Sequence, residues 1–301
     1  MPPIELGAEL PAVRWEYGAV ELRDVAQAAE AIGYDFLFIG DHVLFAYTLP
    51  DRLSMSGAGF EGAITQHEAL TLLAAVAGWT SRVRLTTAIL VLPQRDPVLV
   101  AKQAAEIDIL SGGRLRLGVG LGWSDSEFAA LGASFDDRSA RYEEAIALLR
   151  TCWRDEPVDF AGDHYRVEQM SMLPKPVTPG GPPILVGGVA SRALNRAARL
   201  GDGWISSGAI PDDRVAAAAE AMRDRVRAAG RDPAAFPMQR ETPLEATPGP
   251  MAAALCAYRA AGFDRLGVRT VGRPPLTPDD YIRRLEMIQR EVWPQVLAAE
   301  K

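Results

Sequence analysis

The stretch ILVGGVASRALNRAARLGDGWISSG (184–208) contains one complete strand–helix–strand unit. A continuous apolar strand (182–188) is followed by a pattern of helical spacing (191–200) and by a second apolar strand (202–207). Two buried strands joined by a helix are typical of a parallel sheet that is covered on both faces. The stretch therefore predicts a parallel α/β fold in which Ser191 caps the helix at its N-terminus.

The same alternation runs through the whole chain of 301 residues. The other predicted strands are at 4–8, 35–40, 83–90, 114–120, 237–242 and 263–271. The other helical patterns are at 21–32, 67–79, 97–110, 138–153, 211–229, 250–261 and 278–297. Eight β-then-α units predict an α/β fold of the (β/α)8 TIM-barrel type, formed as a single domain over 1–301. They do not favour a doubly wound sheet of six strands.

Two segments are longer than a barrel connection requires. The first (42–65) follows the second strand, and the other (155–183) precedes the fifth and has a hairpin signal at Ala161–Gly162–Asp163. In a barrel the carboxyl ends of all strands open on the active-site face. We therefore expect the 42–65 insertion to act as a lid and the 155–183 insertion to carry a hairpin.

The composition is that of an ordinary globular protein, with 48% hydrophobic and 24% charged residues. No run of about 18 or more apolar residues is present, so we expect no membrane span. The N-terminal stretch MPPIELGAEL lacks a basic region and an apolar core, so we expect no secretion signal and a cytoplasmic location. Cys152 and Cys256 lie far apart without metal-ligand spacing and are interpreted as reduced and buried.

The net charge of the chain is −7 and no stretch is strongly basic, which argues against a nucleic-acid partner. Of the 32 basic residues, only Lys102, Lys175 and Lys301 are lysines. An anionic ligand must therefore be bound mainly by arginines, hydroxyl groups and backbone N–H groups.

Alternate glycines mark the stretch GRLRLGVGLGWSDSEFAALG (113–132), where Gly118, Gly120 and Gly122 end a predicted strand. The spacing is not G-x-G-x-x-G and the next helix is predicted only from Arg138, so a dinucleotide fingerprint is excluded. Glycine within a strand marks a close approach, either by a flat ligand ring or by a tightly packed neighbour. The spacing alone leaves both alternatives open.

Further residues are predicted at the same end of the barrel. They are Glu9, Asp41, His42, Trp123, Gly187, Gly188, Ser206 and Ser207. The pair Gly187–Gly188 favours the alternative in which the glycines make room for a ligand ring. Ser206 and Ser207 offer hydroxyl and N–H groups to a phosphate. Trp123 is interpreted as a wall of the substrate pocket. Glu9 is either a buried carboxylate that faces a bound ring or a solvated loop charge. No metal site is predicted, since His67 and His164 have no partner at ligand spacing.

Three segments occur in order and together resemble the bacterial luciferase-like oxidoreductase superfamily, most of all its branch that uses the deazaflavin coenzyme F420. They are AEAIGYDFLFIGDHV, TTAILVLPQRDPVLVAKQAAEIDILSGGRLRLGVGLGWSDSEFAALG and ILVGGVASRALNRAARLGDGWISSG. The resemblance covers residues 4–210, and the rest of the chain is similar only in its βα rhythm. It implies an enzyme that transfers a hydride between F420 and a small organic substrate.

The resemblance also implies roles for individual residues. A non-prolyl cis peptide at Ala88–Ile89 is expected to support the back face of the cofactor ring. His42 and Asp41 are the expected catalytic residues, and His42 is expected to approach the reactive ring carbon. Among residues 120–126, those expected to line the ring and its ribityl chain are Gly120, Gly122, Trp123 and Ser126. Those expected to contact ribityl and phosphate groups are Gly187, Gly188 and Ser207.

The chain departs from the family pattern at two points. Sugar-phosphate dehydrogenases of the family have an acidic group where this chain has Trp123, which argues against glucose-6-phosphate chemistry. Lysines that often hold the phosphate and glutamate tail of F420 are missing, so arginines such as Arg192, Arg269 or Arg273 are the available substitutes. Two alternatives stay open: an FMN-dependent monooxygenase supplied by a separate reductase, and a non-catalytic barrel that binds flavin or deazaflavin. The oligomeric state considered for this chain is a homodimer.

Overall fold

The computed structural model describes residues 3–11, 16–45, 64–206, 210–270 and 275–299. Its strands are β1 (Glu5–Glu9), β2 (Phe36–Ile39), β3 (Arg84–Thr87), β4 (Leu90–Val91), β5 (Leu115–Gly120), β6 (Val158–Ala161), β7 (Arg166–Met170), β8 (Ile184–Gly187), β9 (Gly203–Ile205), β10 (Met238–Pro243) and β11 (Arg265–Arg269). Its helices are α1 (Ala19–Ile32), α2 (Ala69–Trp79), α3 (Pro97–Ser111), α4 (Asp125–Ala130), α5 (Arg138–Arg154), α6 (Ser191–Leu200), α7 (Val215–Ala228), α8 (Pro248–Ala260), α9 (Pro278–Met287) and α10 (Trp293–Ala298).

Nine of these strands form one parallel sheet in the order β3-β2-β1-β11-β10-β9-β8-β5-β4, and β3 also pairs with β5, which closes the sheet. Leu85 lies opposite Leu115 in the closing pair, and Leu90 of β4 lies opposite Val119. Because β3 and β4 are two parts of one barrel strand, the closed sheet has eight strand positions. The predicted (β/α)8 barrel is confirmed.

The connection from β4 to β5 shows why a helix forms where the sequence predicts one. The Asp96 carboxylate accepts a hydrogen bond from the Leu99 N–H (2.9 Å), and Pro97 occupies the first turn of α3, where no N–H is needed. The helix ends at Gly112, whose φ of 66° lies in the left-handed region that favours glycine. Val100 and four further residues cover the barrel: Ala101, Ala104, Ala105 and Ile107. Burial of each valine or isoleucine side chain contributes roughly 1.5–3 kcal/mol.

The structure differs from the prediction after β5. A short helix, α4, begins at Asp125, well before the helix predicted from Arg138. Its start is stabilised by the Ser124 hydroxyl, which accepts a hydrogen bond from the Glu127 N–H (3.3 Å). The stretch 123–127 is therefore ordered as a helix start at the carboxyl end of a barrel strand.

Two other helices also differ in detail from the prediction. The N-cap of α6 is Ala190 rather than Ser191, whose hydroxyl instead accepts a hydrogen bond from the Arg225 guanidinium (3.0 Å). The predicted last helix is divided into α9 and α10 by a π-helical turn at 288–292. Pro294 follows this turn, and because proline has no N–H it cannot continue the regular hydrogen-bond ladder.

The 155–183 segment contains the antiparallel hairpin β6–β7. The Glu144 carboxylate on α5 fastens it by accepting hydrogen bonds from the N–H groups of Asp163 (3.1 Å) and Tyr165 (2.7 Å). A Cβ on Gly162 would lie 1.9 Å from Glu144 Oε1, so a larger residue would have to displace the carboxylate that fastens the hairpin. The hairpin therefore packs outside the barrel, against α5.

Most of the predicted lid, residues 46–63 of 42–65, lies outside the described residues. Within the described ranges, no helix combines the length and the apolar character needed to cross a membrane.

Candidate functional site

His42 follows the carboxyl end of β2 and contacts the first turn of α4. Its Nδ1 lies 2.9 Å from Glu127 Oε2, and its side chain is 18% exposed. The Trp123 ring meets the imidazole edge-on at a centroid distance of 5.1 Å, and the Phe45 ring packs at 4.6 Å. One ring nitrogen of His42 is therefore held by the protein while the imidazole stays partly open at the mouth of the barrel.

Glu127 is a buried carboxylate that orients this imidazole. Its Oε1 accepts hydrogen bonds from the N–H groups of Val43 (2.7 Å) and Leu44 (3.1 Å). Burial alone raises the pKa of Glu127, but the hydrogen bonds and the charge of His42 outweigh it, so the pKa is lowered from its ordinary value. An ionised carboxylate accepts a hydrogen bond from Nδ1–H, which leaves Nε2 as the unprotonated, basic nitrogen of neutral His42.

Glu127 was not among the site residues predicted from the sequence. The signal that could have found it is the spacing Ser124-x-x-Glu127, the pattern of a capping box at a helix start. In a capping box the glutamate returns to the N-cap N–H, whereas here its carboxylate contacts His42 and the two residues that follow it. Only the fold reveals that difference.

The Asp41 carboxylate is buried and fully engaged inside the protein. Its Oδ2 accepts a hydrogen bond from the Val91 N–H (2.9 Å), and its Oδ1 accepts one from the Arg95 guanidinium (2.7 Å), which also pairs with Glu68 (3.1 Å). These contacts join the end of β2 to β4. The geometry therefore favours a positioning role for Asp41 over the catalytic role that the sequence predicts.

The peptide bond between Ala88 and Ile89 is cis, the geometry that the family resemblance predicts. The Ala88 N–H donates a hydrogen bond to the Ile39 carbonyl (2.7 Å), and both residues of the cis peptide are half-buried. The bulge lies between β3 and β4, at the barrel mouth, where a flat ring could rest on it.

The glycines of β5 and β8 accommodate this bulge. A Cβ on Gly118 would lie 1.9 Å from the Thr87 carbonyl oxygen, and one on Gly120 would lie 1.7 Å from Ile89 Cδ1. A Cβ on Gly187 would lie 2.8 Å from Ile89 Cγ2. Of the two alternatives that the spacing left open, tight packing therefore explains these glycines.

Neighbouring side chains occupy the Cβ positions at Gly120 and Gly122, whereas the predicted contact of these glycines with the cofactor ring stays a prediction. The space beside Gly120 is filled by Ile89, and a Cβ on Gly122, whose φ is 74°, would lie 2.4 Å from Val91 Cγ1. Both glycines leave the space in which the side chains of Ile89 and Val91 pack beside β5.

The start of α6 has the properties of an anion site. No side chain caps its first N–H groups, and Gly188, with a φ of 121°, precedes it. A Cβ on Gly188 would lie 2.8 Å from the Ala193 Cβ, so the backbone here requires glycine. Arg192, in the first turn, is exposed.

Ser206 does not reach this anion site. Its side chain is fully buried, its hydroxyl accepts a hydrogen bond from the Arg240 guanidinium (3.0 Å), and its N–H donates to the Gln239 carbonyl (2.9 Å). Because all these groups are used inside the fold, the predicted phosphate contact of Ser206 is not supported. Ser207 lies outside the described residues.

Trp123 and Ser126 lie at the start of α4 beside His42. Trp123 is 39% exposed, which is high for an indole and leaves one face open at the mouth. Ser126 is exposed, and its hydroxyl lies 3.2 Å from that of Ser124. Both side chains are thus accessible to a ligand.

Two carboxylates lie on the β10–β11–β1 side of the barrel. Glu9 is buried, and its Oε2 accepts hydrogen bonds from the N–H (2.5 Å) and hydroxyl (2.7 Å) of Thr270, so it is not a solvated loop charge. Glu241, which the sequence did not single out, accepts a hydrogen bond from Gln239 (2.7 Å). Burial, assisted by the charge of Glu9, raises the pKa of Glu241 to about 7.

No group of three or more metal-binding side chains occurs among the described residues. Cys152 is buried, Cys256 is half-buried, and both are free thiols.

Arg269 is half-buried near Glu241, whereas Arg273 lies outside the described residues.

A family model described as luciferase-like monooxygenase matches residues 14–246. An uncharacterized protein of Mycobacterium tuberculosis is 36% identical over 205 residues, which cover 66% of this chain and 70% of the relative. An F420-dependent glucose-6-phosphate dehydrogenase of Nakamurella multipartita is 34% identical over 235 residues, 76% of this chain and 64% of the relative. An FMNH2-dependent dimethylsulfone monooxygenase of Pseudomonas fluorescens is 35% identical over 198 residues, 65% of this chain and 50% of the relative.

Solved structures show the same fold at lower identity. An F420-dependent secondary alcohol dehydrogenase superimposes with a TM-score of 0.78 at 18% identity, over 98% of this chain and 99% of the other. A monooxygenase from Streptomyces bottropensis superimposes with a TM-score of 0.77 at 21% identity, over 97% and 99% of the two chains.

Proposed function

We propose that this chain, which belongs to the luciferase-like monooxygenase family and is an oxidoreductase, transfers a hydride between coenzyme F420 and a small organic substrate. Enzymes of both F420-dependent and FMNH2-dependent types are among its relatives. The F420-dependent relative is similar to 76% of this chain, whereas the FMNH2-dependent relative is similar to 65% of it.

The observation that carries the proposal is the hydrogen-bonded pair of His42 and Glu127. Removal of a hydride from a carbon that bears a hydroxyl group also releases the hydroxyl proton, and the reverse reaction consumes a proton. The Nε2 atom of His42 is available to take or return this proton, since Nδ1 is bound to Glu127. The carboxylate of Glu127 stabilises the imidazolium that forms, as the aspartate of a catalytic triad does.

The residues at the barrel mouth fit a deazaflavin. The bulge at Ala88–Ile89 offers a half-buried surface to a flat ring, and the uncapped start of α6, after Gly188, offers N–H groups to a phosphate. Arg192, exposed in the first turn of α6, is the described arginine best placed for an acidic tail. A deazaflavin bound there supplies the ring carbon that accepts or donates the hydride.

The substrate side of the mouth is apolar. Trp123, Val43 and Leu44 are 39%, 40% and 49% exposed; the Trp123 ring packs on His42, and the N–H groups of Val43 and Leu44 bind the Glu127 carboxylate. Exposed apolar side chains grouped at a site favour ligands with an apolar body. We therefore propose an uncharged alcohol or carbonyl compound as the substrate, rather than a sugar phosphate.

A second candidate function is an FMN-dependent monooxygenase, and the 35% identity to the dimethylsulfone monooxygenase favours it. Turnover separates the two candidates. The purified chain is mixed with F420 and a panel of secondary alcohols, or with reduced F420 and carbonyl compounds, and the deazaflavin absorbance is followed. Turnover in these assays supports the proposal. Oxygen-dependent product formation only with a flavin reductase and FMN supports the second candidate, and no turnover with either cofactor supports a binding protein.

A further inference from the structure

Glu241 lies in the closed sheet, where β11 and β1 separate its strand β10 from β2, the strand that precedes His42. It is on β10, opposite Gly267 of β11, and a Cβ on Gly267 would lie 3.2 Å from Glu241 Cγ and 2.9 Å from Phe38 Cε1. The missing side chain of Gly267 therefore leaves the space in which the Glu241 side chain and the Phe38 ring meet. Glu241 as a whole residue is 9% exposed.

The Glu241 carboxyl group is not consumed by an ion pair. Its Oε1 accepts a hydrogen bond from Gln239, and no donor among the described residues reaches its Oε2. Glu5, at the opposite end of the barrel, shows the contrasting arrangement, since both of its oxygens accept hydrogen bonds from the Arg116 guanidinium (2.5 and 2.7 Å). Glu241 therefore differs from a structural ion pair such as that of Glu5, because one of its two oxygens has no hydrogen-bond donor among the described residues.

Three charged groups influence the ionisation of Glu241. The carboxylate of Glu9 on β1 opposes its ionisation, while Arg269 on β11 and Arg240 on its own strand favour ionisation. Arg269 forms no ion pair within the described ranges, and its buried Nε has no hydrogen-bond partner there. Burial outweighs both arginines and raises the pKa of Glu241 to about 7.

We infer that Glu241 is a ligand-binding acid of this mouth, whose protonated Oε2 donates a hydrogen bond to a carbonyl oxygen or ring nitrogen of the bound cofactor ring. The inference rests on the proposed function in one respect, that a flavin-type ring binds at the mouth. A neutral carboxyl group can donate such a bond, whereas a carboxylate cannot. A buried donor aimed at a ligand acceptor gives a stronger bond than the same donor in water.

The first experiment measures the proton on Glu241 in the full chain without cofactor. Infrared spectroscopy of the wild-type protein is expected to show a protonated-carboxyl band that disappears with a midpoint near pH 7. The band should be absent from Glu241→Gln and unchanged in the control Glu286→Gln, which alters an exposed glutamate of α9. No such band near neutral pH, or an equal band in Glu241→Gln, would overturn the inference.

The second experiment measures how many protons the protein takes up when the cofactor binds. Calorimetry in two buffers of different ionisation enthalpy gives this number. The pH is about 8, because most Glu241 groups are then ionised before the cofactor binds. F420 binding to the wild type is expected to take up most of a proton per ligand, and binding to Glu241→Gln to take up almost none. Equal uptake by both proteins would overturn the inference while leaving the proposed function intact. If FMN binds in place of F420 with the same difference in uptake, the cofactor proposal fails and the inference stands. If neither cofactor binds, both fail.

Discussion

His42 Nδ1 and Glu127 Oε2 lie 2.9 Å apart although 85 positions separate the two residues in the chain. The barrel brings them together because β2 and β5 are near neighbours in the closed sheet and both end at the same mouth. The Glu127 carboxylate also holds the N–H groups of Val43 and Leu44, so one buried group fixes both the imidazole and the backbone that carries it.

Replacement of Glu127 by glutamine should lower the turnover number by about 10²-fold, with little change in the Michaelis constant. A neutral amide no longer stabilises the imidazolium, and it can turn its NH2 group toward Nδ1, which favours the wrong tautomer. Steady-state kinetics across a pH series measure this change. A Glu127→Gln protein with the wild-type turnover and pH profile would show that Glu127 only supports the fold.

Replacement of His42 by alanine should lower turnover by about 10²-fold or more while cofactor affinity falls much less. Because the two residues act as a unit, the double variant His42→Ala/Glu127→Gln should be no slower than His42→Ala alone. Unchanged turnover together with a lower melting temperature would instead identify His42 as a structural residue.

Replacement of Gly120 by alanine should destabilise the protein by about 1–3 kcal/mol, because the new methyl group overlaps the Ile89 side chain. The second substitution Ile89→Val removes the Cδ1 atom that lies 1.7 Å from the added Cβ, so the double variant should regain much of the loss. Urea unfolding measures both effects. Gly78→Ala is the matched control, since a Cβ at this helical position meets nothing within 4 Å. Equal stability of Gly120→Ala and Gly78→Ala would contradict the packing described here.

The pH dependence of stability should differ between the wild type and Glu241→Gln. The pKa of Glu241 is raised from 4.5 to about 7, so the folded state holds a proton that the unfolded state has already lost between these values. Stability therefore decreases as the pH rises from about 4.5 to about 7, and glutamine removes this effect. Between about pH 5 and pH 8 the variant should gain about 2 kcal/mol relative to the wild type. A difference in unfolding free energy that does not change with pH would show that Glu241 is ionised throughout.

The barrel could be predicted from the sequence because its signal is local. Each strand is a short apolar run and each helix has its own periodicity, so eight units can be counted without knowing which residues meet. The cap of α6 was assigned one residue too late, at Ser191, because serine is a better cap than Ala190 in isolation. In the fold the Ser191 hydroxyl binds Arg225, a residue of the following helix.

The site could be predicted only in part because its contacts are distant in sequence. His42 could be singled out because it follows a predicted strand. In the sequence its partner Glu127 is only one acidic residue of a polar cluster, and nothing local indicates that it contacts His42. The glycines of β5 were ambiguous for the same reason. Whether a ring or a side chain fills the space beside Gly120 depends on Ile89, which comes from a different strand.

Titration of the cofactor-free protein with F420 and with FMN, at low and high salt, tests the central claim most directly. The phosphate is common to both cofactors, and only F420 has an acidic tail for exposed arginines such as Arg192. We expect F420 to bind more tightly than FMN and its affinity to fall with rising salt, because salt screens charges at an exposed site. Tighter binding of FMN, or an F420 affinity that does not depend on the length of the glutamyl tail, would contradict the assignment of F420 as the cofactor.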